Sequence, residues 1–316
     1  MSAALSQALA AFWQGAFGST DAVVSATLVR ATPLILAGLA VAVAFRAGVL
    51  NLGAEGQLLV GAAAAATVGL ALAPVLGGAT VVAALVAGAV AGACWAGIAA
   101  ELRARFGVLE VISTIMLNFV ALYAVGWLVR GPLQEPTHVY PQSATLAPGG
   151  RLPLLVPDSR LHAGLALAVA AAAALWWTLR ATWAGFRLRA VGLNPAAATS
   201  AGRIDVSRVT TRAFLVSGAL AGLAGAVEVT GVTFALYDNF SPGYGYTAVA
   251  VALLAGLHPL GVLATGTLFG ALEAGASAMQ RDAGVPATVA GVIEASLVLV
   301  VLAVETRRRR SAEAGA

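Results

Sequence analysis

The sequence predicts an all-α, polytopic bundle of about nine transmembrane helices, N-terminus outside and C-terminus in the cytoplasm, and three observations carry that expectation. Of 316 residues, 60% are hydrophobic and only 10% charged, with a mean hydropathy of +0.90, a composition outside the range of soluble globular domains. The apolar residues gather in runs of bilayer length, roughly 17 to 25 residues at about 1.5 Å each. Most arginines gather at the ends of those runs, and the chain has no lysine. A pI of 9.8 would suit nucleic acid, but aromatic and basic residues are not interleaved, so no nucleic-acid partner is expected. With one cysteine, Cys94, inside an apolar run, neither a disulfide framework nor a thiolate metal cluster is possible.

Ala3 to Phe17 opens the chain without the basic charge of a cleaved signal peptide. It suits either an interfacial helix anchored by Phe12, Trp13 and Phe17 or the remnant of a spanning helix. Spanning runs follow at 25–45, 57–76, 79–100, 111–129, 161–180, 212–233, 245–257, 259–280 and 286–304. The seventh is too short to span alone and passes through Gly256-Leu257-His258-Pro259-Leu260-Gly261 into the eighth. This reads as a broken, half-length helix of the kind that lines transport pathways, or as a tight turn between ordinary helices.

Short cytoplasmic loops keep their arginines. Arg46, Arg103, Arg105, Arg187, Arg189, Arg203, Arg208 and Arg307 to Arg310 fall on one side if the helices alternate. That places the C-terminus inside, 131–160 in an external loop despite its flanking Arg130, Arg151 and Arg160, and 181–211 in a cytoplasmic loop of a single domain covering 1–316. Glycines four apart at Gly88/Gly92, Gly218/Gly222 and Gly266/Gly270 predict close helix contacts in lipid.

The chemistry lies in the few polar residues. A phosphate-binding P-loop needs a lysine, so the chain carries no ATPase motif of its own; it is expected to be a transport subunit and not an enzyme, with no cofactor implied. If transport is ATP-driven, a separate ATPase must grip the chain from the cytoplasm. In 185–208 Asn194 suits an N-cap and Pro195 the first helical position, predicting a two-turn helix over Pro195–Ala201 that stops at Gly202. That helix reads as an ATPase contact or as a plain connector. Polar groups within or beginning apolar runs are costly and mark a substrate path: Asn51, Glu55, Gln57, Asn118, Glu228, Glu273 and Glu294. Each carboxyl could instead be protonated and bonded to its own fold. Amides and carboxylates together suit the hydroxyls and base edges of a small polar solute. The same glutamates would serve a proton-coupled secondary transporter that needs no ATPase. An intramembrane serine protease is hinted at by Gly275-Ala276-Ser277-Ala278, but a nucleophilic serine needs a base within reach, His258 lies about 28 Å away along the helix and His162 is the other candidate near the outer face, so this reading is set aside. His138, His162 and His258 lack metal-ligand spacing, so no metal is expected.

Four segments resemble the permeases of ABC importers for nucleosides, simple sugars and branched-chain amino acids. They are FRAGVLNLGAEGQLLVGA (Phe45–Ala62), GVLEVISTIMLN (Gly107–Asn118), RAVGLNPAAATSAG (Arg189–Gly202) and GYTAVAVALLAGLHPLGVLATGTLFGALEAGA (245–276). NLGAEGQ and EVISTIMLN are most similar to the nucleoside branch. The resemblance implies import of a nucleoside or simple sugar across a bacterial inner membrane. It also implies pairing with a second permease, the same or a sister chain, a cytoplasmic ATPase pair and an external binding lipoprotein. The family's ATPase-contacting pattern maps onto Gly192, Asn194, Pro195, Ala197, Ala198 and Gly202, with Arg203 an extra residue before Ile204. Many relatives have ten helices, one more than is legible at this N-terminus.

Overall fold

The computed structural model describes residues 2–286 together with 288, 291, 292, 295 and 296; most of the ninth expected run, Glu294 and Arg307 to Arg310 lie outside the described residues. Described residues are helices and connecting loops, without a named strand. Six helical stretches are long and apolar enough to cross a membrane. One of them, Ala54–Phe106, is two helices folded back on each other at 77–79.

Helix α2 (Leu28–Arg46) forms the axis of the bundle. It is apolar all round, as a helix enclosed by other helices must be, and nearly every residue from Val29 to Ala44 is buried. Around it stand α6 (Gly164–Ala181), α9 (Val206–Glu228), α10 (Tyr244–Leu254) and α11 (Pro259–Ala283). Outside α9 lie α3 (Ala54–Leu76) and α4 (Thr80–Phe106), and α5 (Glu110–Arg130) packs on α3.

The glycine spacing marks these contacts as expected. Gly88 and Gly92 of α4 meet Gly218 and Gly222 of α9, where a β-carbon on Gly92 would fall onto the Gly218 carbonyl. Gly61 of α3 meets Gly222 at the same point, so three backbones share one crossing. Gly266 and Gly270 of α11 take α2 at Ile35 and Ala31. Lipid tails are as apolar as the helices, so this backbone approach, more than water exclusion, holds the elements together.

Several helix ends differ from the apolar runs because polar residues continue the helix. Helix α4 reaches Phe106, through an ion pair of Arg105 with Glu101 one turn earlier, and stops at Gly107, whose φ is +64°. Asp205 accepts from the Arg208 N–H at 3.0 Å, so α9 starts at Val206, six residues before its apolar run. In the other direction, α6 begins only at Gly164: Leu161 and Ala163 bond back to Leu155 and Pro153 in the preceding loop.

Helix α1 (Ser2–Phe17) packs along the last turns of α11, with Phe12 against Gly275 and Gly15 against Ala278. Phe12 is thus a packing residue, while Trp13 and Phe17 stay exposed. After a bend at Gly18–Ser19 and a π-helical turn, Ala22–Thr27, the Thr27 hydroxyl donates to the Ala16 carbonyl at 2.8 Å.

The loop after α5 lies over the segment after α9. Ser143 and Leu146 donate backbone N–H groups to Leu236 and Phe234, Arg130 pairs with Asp238 at 2.6 Å, and the Arg151 guanidinium sits 4.5 Å from the Phe234 ring.

Candidate functional site

Helix α10 has 11 residues and a length of about 16 Å, roughly half a bilayer core. It ends in Gly256 and Leu257, both at φ +58°, and His258 caps α11 by accepting from the Gly261 N–H at 3.3 Å. The Arg46 Nε donates to the Leu257 carbonyl at 2.7 Å, so the break lies level with the end of α2. The broken helix read from the sequence is therefore a half-length helix.

Its N-terminus points to the middle of the bundle. After Arg46 the chain re-enters: the Asn51 amide donates to Ser217 at 2.9 Å, and Ser217 donates to the Ala40 carbonyl at 2.7 Å. Ala40 precedes Arg46 by six residues, about 9 Å of helix rise, which sets the depth at which α3 begins. There the Glu55 carboxylate accepts the Gly245 N–H at 2.7 Å, meeting the positive end of α10.

Around this contact the amides close on themselves. Asn51 and Gln57 exchange two hydrogen bonds of 3.1 Å, and Asn51 also accepts from the Gly53 N–H. Asn118 of α5 accepts from the Gly56 N–H at 2.8 Å and donates to the Leu52 carbonyl at 2.9 Å. Asn51, Glu55, Gln57 and Asn118 are all buried, so most of their bonding capacity goes into fixing the re-entrant turn. Asn118 also lies 3.4 Å from the hydroxyl of Tyr246, a half-exposed side chain that gives the cluster an edge on the open surface.

A second group lies toward the far ends of α9 and α11. Glu228 is buried where α9 passes into a π-helical turn, Val229–Thr233, and both Arg30 and Arg160 act on it electrostatically. Tyr244 feels Glu228, Glu273 and Arg30 together. Arg30 also reaches the Ser277 hydroxyl at 3.4 Å. Burial, and then the Glu228 charge, holds the Tyr237 phenol above its usual value. Arg30, Ser217 and Tyr246 are members of these clusters that the sequence reading passed over. Arg30 carried the plainest signal, a charge inside an apolar run.

Ser277 donates to its own helix at the Glu273 carbonyl at 2.8 Å, and His258 lies at the other end of α11. His162 is fully buried, accepts the Gly164 N–H at Nδ1 and is held down to a pKa of about 4 by burial and then by Arg160. Its ring packs against Gly231 of the π-helical turn. These contacts give Ser277 no nearby base.

The third constellation is the segment between α6 and α9. It holds two helices, α7 (Trp183–Leu193) and α8 (Pro195–Gly202), hinged at Asn194. Asn194 caps α8 by accepting the Ala197 N–H at 3.0 Å, with Pro195 in the first helical position, as its sequence predicts. Helix α8 runs through Gly202 and ends on Arg203, whose φ of +48° turns the chain back so that Ile204 donates to the Ala198 carbonyl at 3.1 Å. Leu193 beside the hinge is 86% exposed, an apolar side chain offered outward. Gly192 lies against the Arg46 carbonyl so closely that a β-carbon would not fit.

Relatives with assigned roles share most of the chain. It is 40% identical to a glucose ABC transporter permease protein of Haloferax volcanii, over 93% of this chain and 78% of that one. It is 41% identical to a guanosine ABC transporter permease protein of Bacillus subtilis, over 92% of this chain and 84% of that one. A nucleoside ABC transporter permease protein of Lactococcus lactis is 32% identical over 87% and 78%. No solved structure matches the chain. The family described as the permease component of branched-chain amino acid transport systems matches residues 23–303. With its apolar helices, its half-length helix and a capped helix pair at one end, this multi-pass membrane protein belongs to that family, as an ABC importer permease whose ATPase is a separate subunit.

Proposed function

We propose that the chain carries a nucleoside or a simple sugar inward across a bacterial plasma membrane. The observation that carries the reading is the half-length helix α10, whose N-terminus meets a buried carboxylate at mid-bundle, in a chain whose relatives are permeases for guanosine, nucleosides and glucose. A ribose or hexose loses water hydrogen bonds on entering lipid and needs donors and acceptors along its way. Glu228, Glu273 and Tyr244 supply them on one side, and Asn118 with Tyr246 on the other, while Asn51, Gln57 and Glu55 hold the backbone that presents them. Glu294 completes the set proposed from sequence.

In this reading the ATPase grips Gly192, Asn194, Pro195, Ala197, Ala198 and Gly202 on α7 and α8, and an external binding lipoprotein delivers the solute at the opposite end. A second permease, identical or a sister chain, covers the outward face of α5. That face is the exposed stripe Ile112, Met116, Phe119, Tyr123 and Trp127, and Tyr246 forms its polar edge.

Uptake of a radiolabelled nucleoside at saturating binding protein tests the path. Glu228→Gln and Glu273→Gln keep shape and hydrogen bonding but cannot carry charge, and each should lower uptake about tenfold with membrane levels unchanged. Normal uptake in both variants removes these residues from the path. Full uptake with a hydrolysis-dead ATPase would establish proton coupling instead. The orientation has its own test: a reporter active only in the cytoplasm should work after Arg310 and fail at Ala147, and the reverse pattern inverts the topology.

A further inference from the structure

Helices α6 and α9 stand apart at the end of the bundle that carries α7, leaving a groove of about 410 Å³. Val43 of the axial helix α2 forms part of its wall, Leu175 and Leu179 line it from α6, and Leu215 and Val216 from α9. Across the top lies α7, which brings Arg187, and the first turns of α9 bring Arg212. The lining is almost entirely hydrocarbon, unsuited to a polyhydroxylated solute, and its size is within the usual range of pockets that hold organic ligands, about 300 to 1,000 Å³.

The two guanidinium groups do not fit a groove that is simply filled with alkyl chains. Arg187 has a buried Nε without a hydrogen-bond acceptor, although its guanidinium lies 5.3 Å from the Trp183 ring. Neither Arg187 nor Arg212 has an acidic partner among the described residues, and no carboxylate lines the groove. A buried donor on a charged group without an acceptor costs more than a neutral one, and a phosphate is the acceptor a guanidinium fork matches best. Stacked exposed rings of Trp183 and Phe186, 4.9 Å apart, belong to the same helix, as aromatic residues do where lipid headgroups begin.

We propose that the groove between α6, α7 and α9 binds one anionic phospholipid, its phosphate on Arg187 and Arg212 and an acyl chain along Leu175, Leu179 and Val216. Charge complementarity selects the occupant: basic pockets between spanning helices suit acidic lipid headgroups, and the hydrocarbon walls exclude a free anion. The lipid would brace α7, which leads directly into the Asn194 hinge.

Native mass spectrometry of the full chain, released from micelles holding equal phosphatidylglycerol and phosphatidylcholine of identical acyl chains, tests this. Wild type should retain phosphatidylglycerol with a preference of about fivefold or more. The double variant Arg187→Gln, Arg212→Gln should bring that preference to about one. Val216→Trp, which fills the groove and leaves both charges in place, should lower retention as well. Added inorganic phosphate should not displace the lipid. Equal retention of the two lipids by wild type, a preference unchanged in the double variant, retention unchanged in Val216→Trp, or displacement by phosphate would each overturn the proposal. Should the double variant fail to fold, Val216→Trp decides alone.

Discussion

Replacing Gly222 with valine should leave no folded permease in the membrane. At this residue an added β-carbon meets the α4 backbone at Gly88 and Gly92, 2.3 to 3.0 Å away, with no flexible neighbour to yield, while the Gly222 backbone itself lies against Gly61 of α3. Overpacking a core ordinarily costs about 1 to 3 kcal/mol because side chains shift. Here only helices can shift, and the cost should exceed about 4 kcal/mol, the range reserved for a broken packing mechanism. Membrane-extracted Gly222→Val should be absent or aggregated on size-exclusion chromatography, whereas Gly97→Val on α4, where the nearest neighbour is the end of a leucine side chain 3.4 Å away, should give nearly normal yield. A monodisperse Gly222→Val protein would show that the three-helix crossing does not hold the bundle.

The second large effect concerns transport without loss of fold. Asn194→Ala removes the acceptor that caps α8, about 1 kcal/mol, and Pro195→Gly removes the preset φ and adds about 1 kcal/mol of chain entropy. A helix of eight residues has no propagation reserve, so the double variant should populate the capped form roughly thirtyfold less. Uptake and solute-stimulated ATP hydrolysis should fall together, by about tenfold, while the membrane level stays normal because α8 packs through Ala198 on a small cluster with Val191 and Ile204, apart from the main core. Undiminished uptake would make 194–202 a connector only.

How far the sequence disclosed this molecule can be judged from individual residues. The close contacts at Gly88/Gly92 and Gly218/Gly222 were legible because glycines four apart leave a flat stripe, but not which stripe meets which, and the axial place of α2 was not, because a helix facing lipid is as apolar all round as one enclosed by helices. Asn194 and Pro195 were legible because capping is decided within four residues. Arg30 was hidden inside the very run that identified its helix. The pairing of Glu55 with Gly245 joins residues 190 apart, and no local pattern announces which distant helix end a carboxylate will meet. The same limit applies to Asn51, Gln57 and Asn118, whose types suggested solute contacts although their bonds are largely spent on one turn of backbone.

One residue joins two parts of the molecule that are far apart in sequence. Arg46 presents its carbonyl to the bare backbone of Gly192 in α7 and its guanidinium to the Leu257 carbonyl at the end of α10. Neither contact has slack: one is backbone on backbone, the other a 2.7 Å charged hydrogen bond. A push delivered to α7 would therefore arrive, through a single amino acid, at one end of a helix whose other end lies at mid-bundle. The stroke of an ATPase would then tilt a lever about 16 Å long, and even a small rotation at Leu257 would sweep Gly245 across the path proposed for the solute.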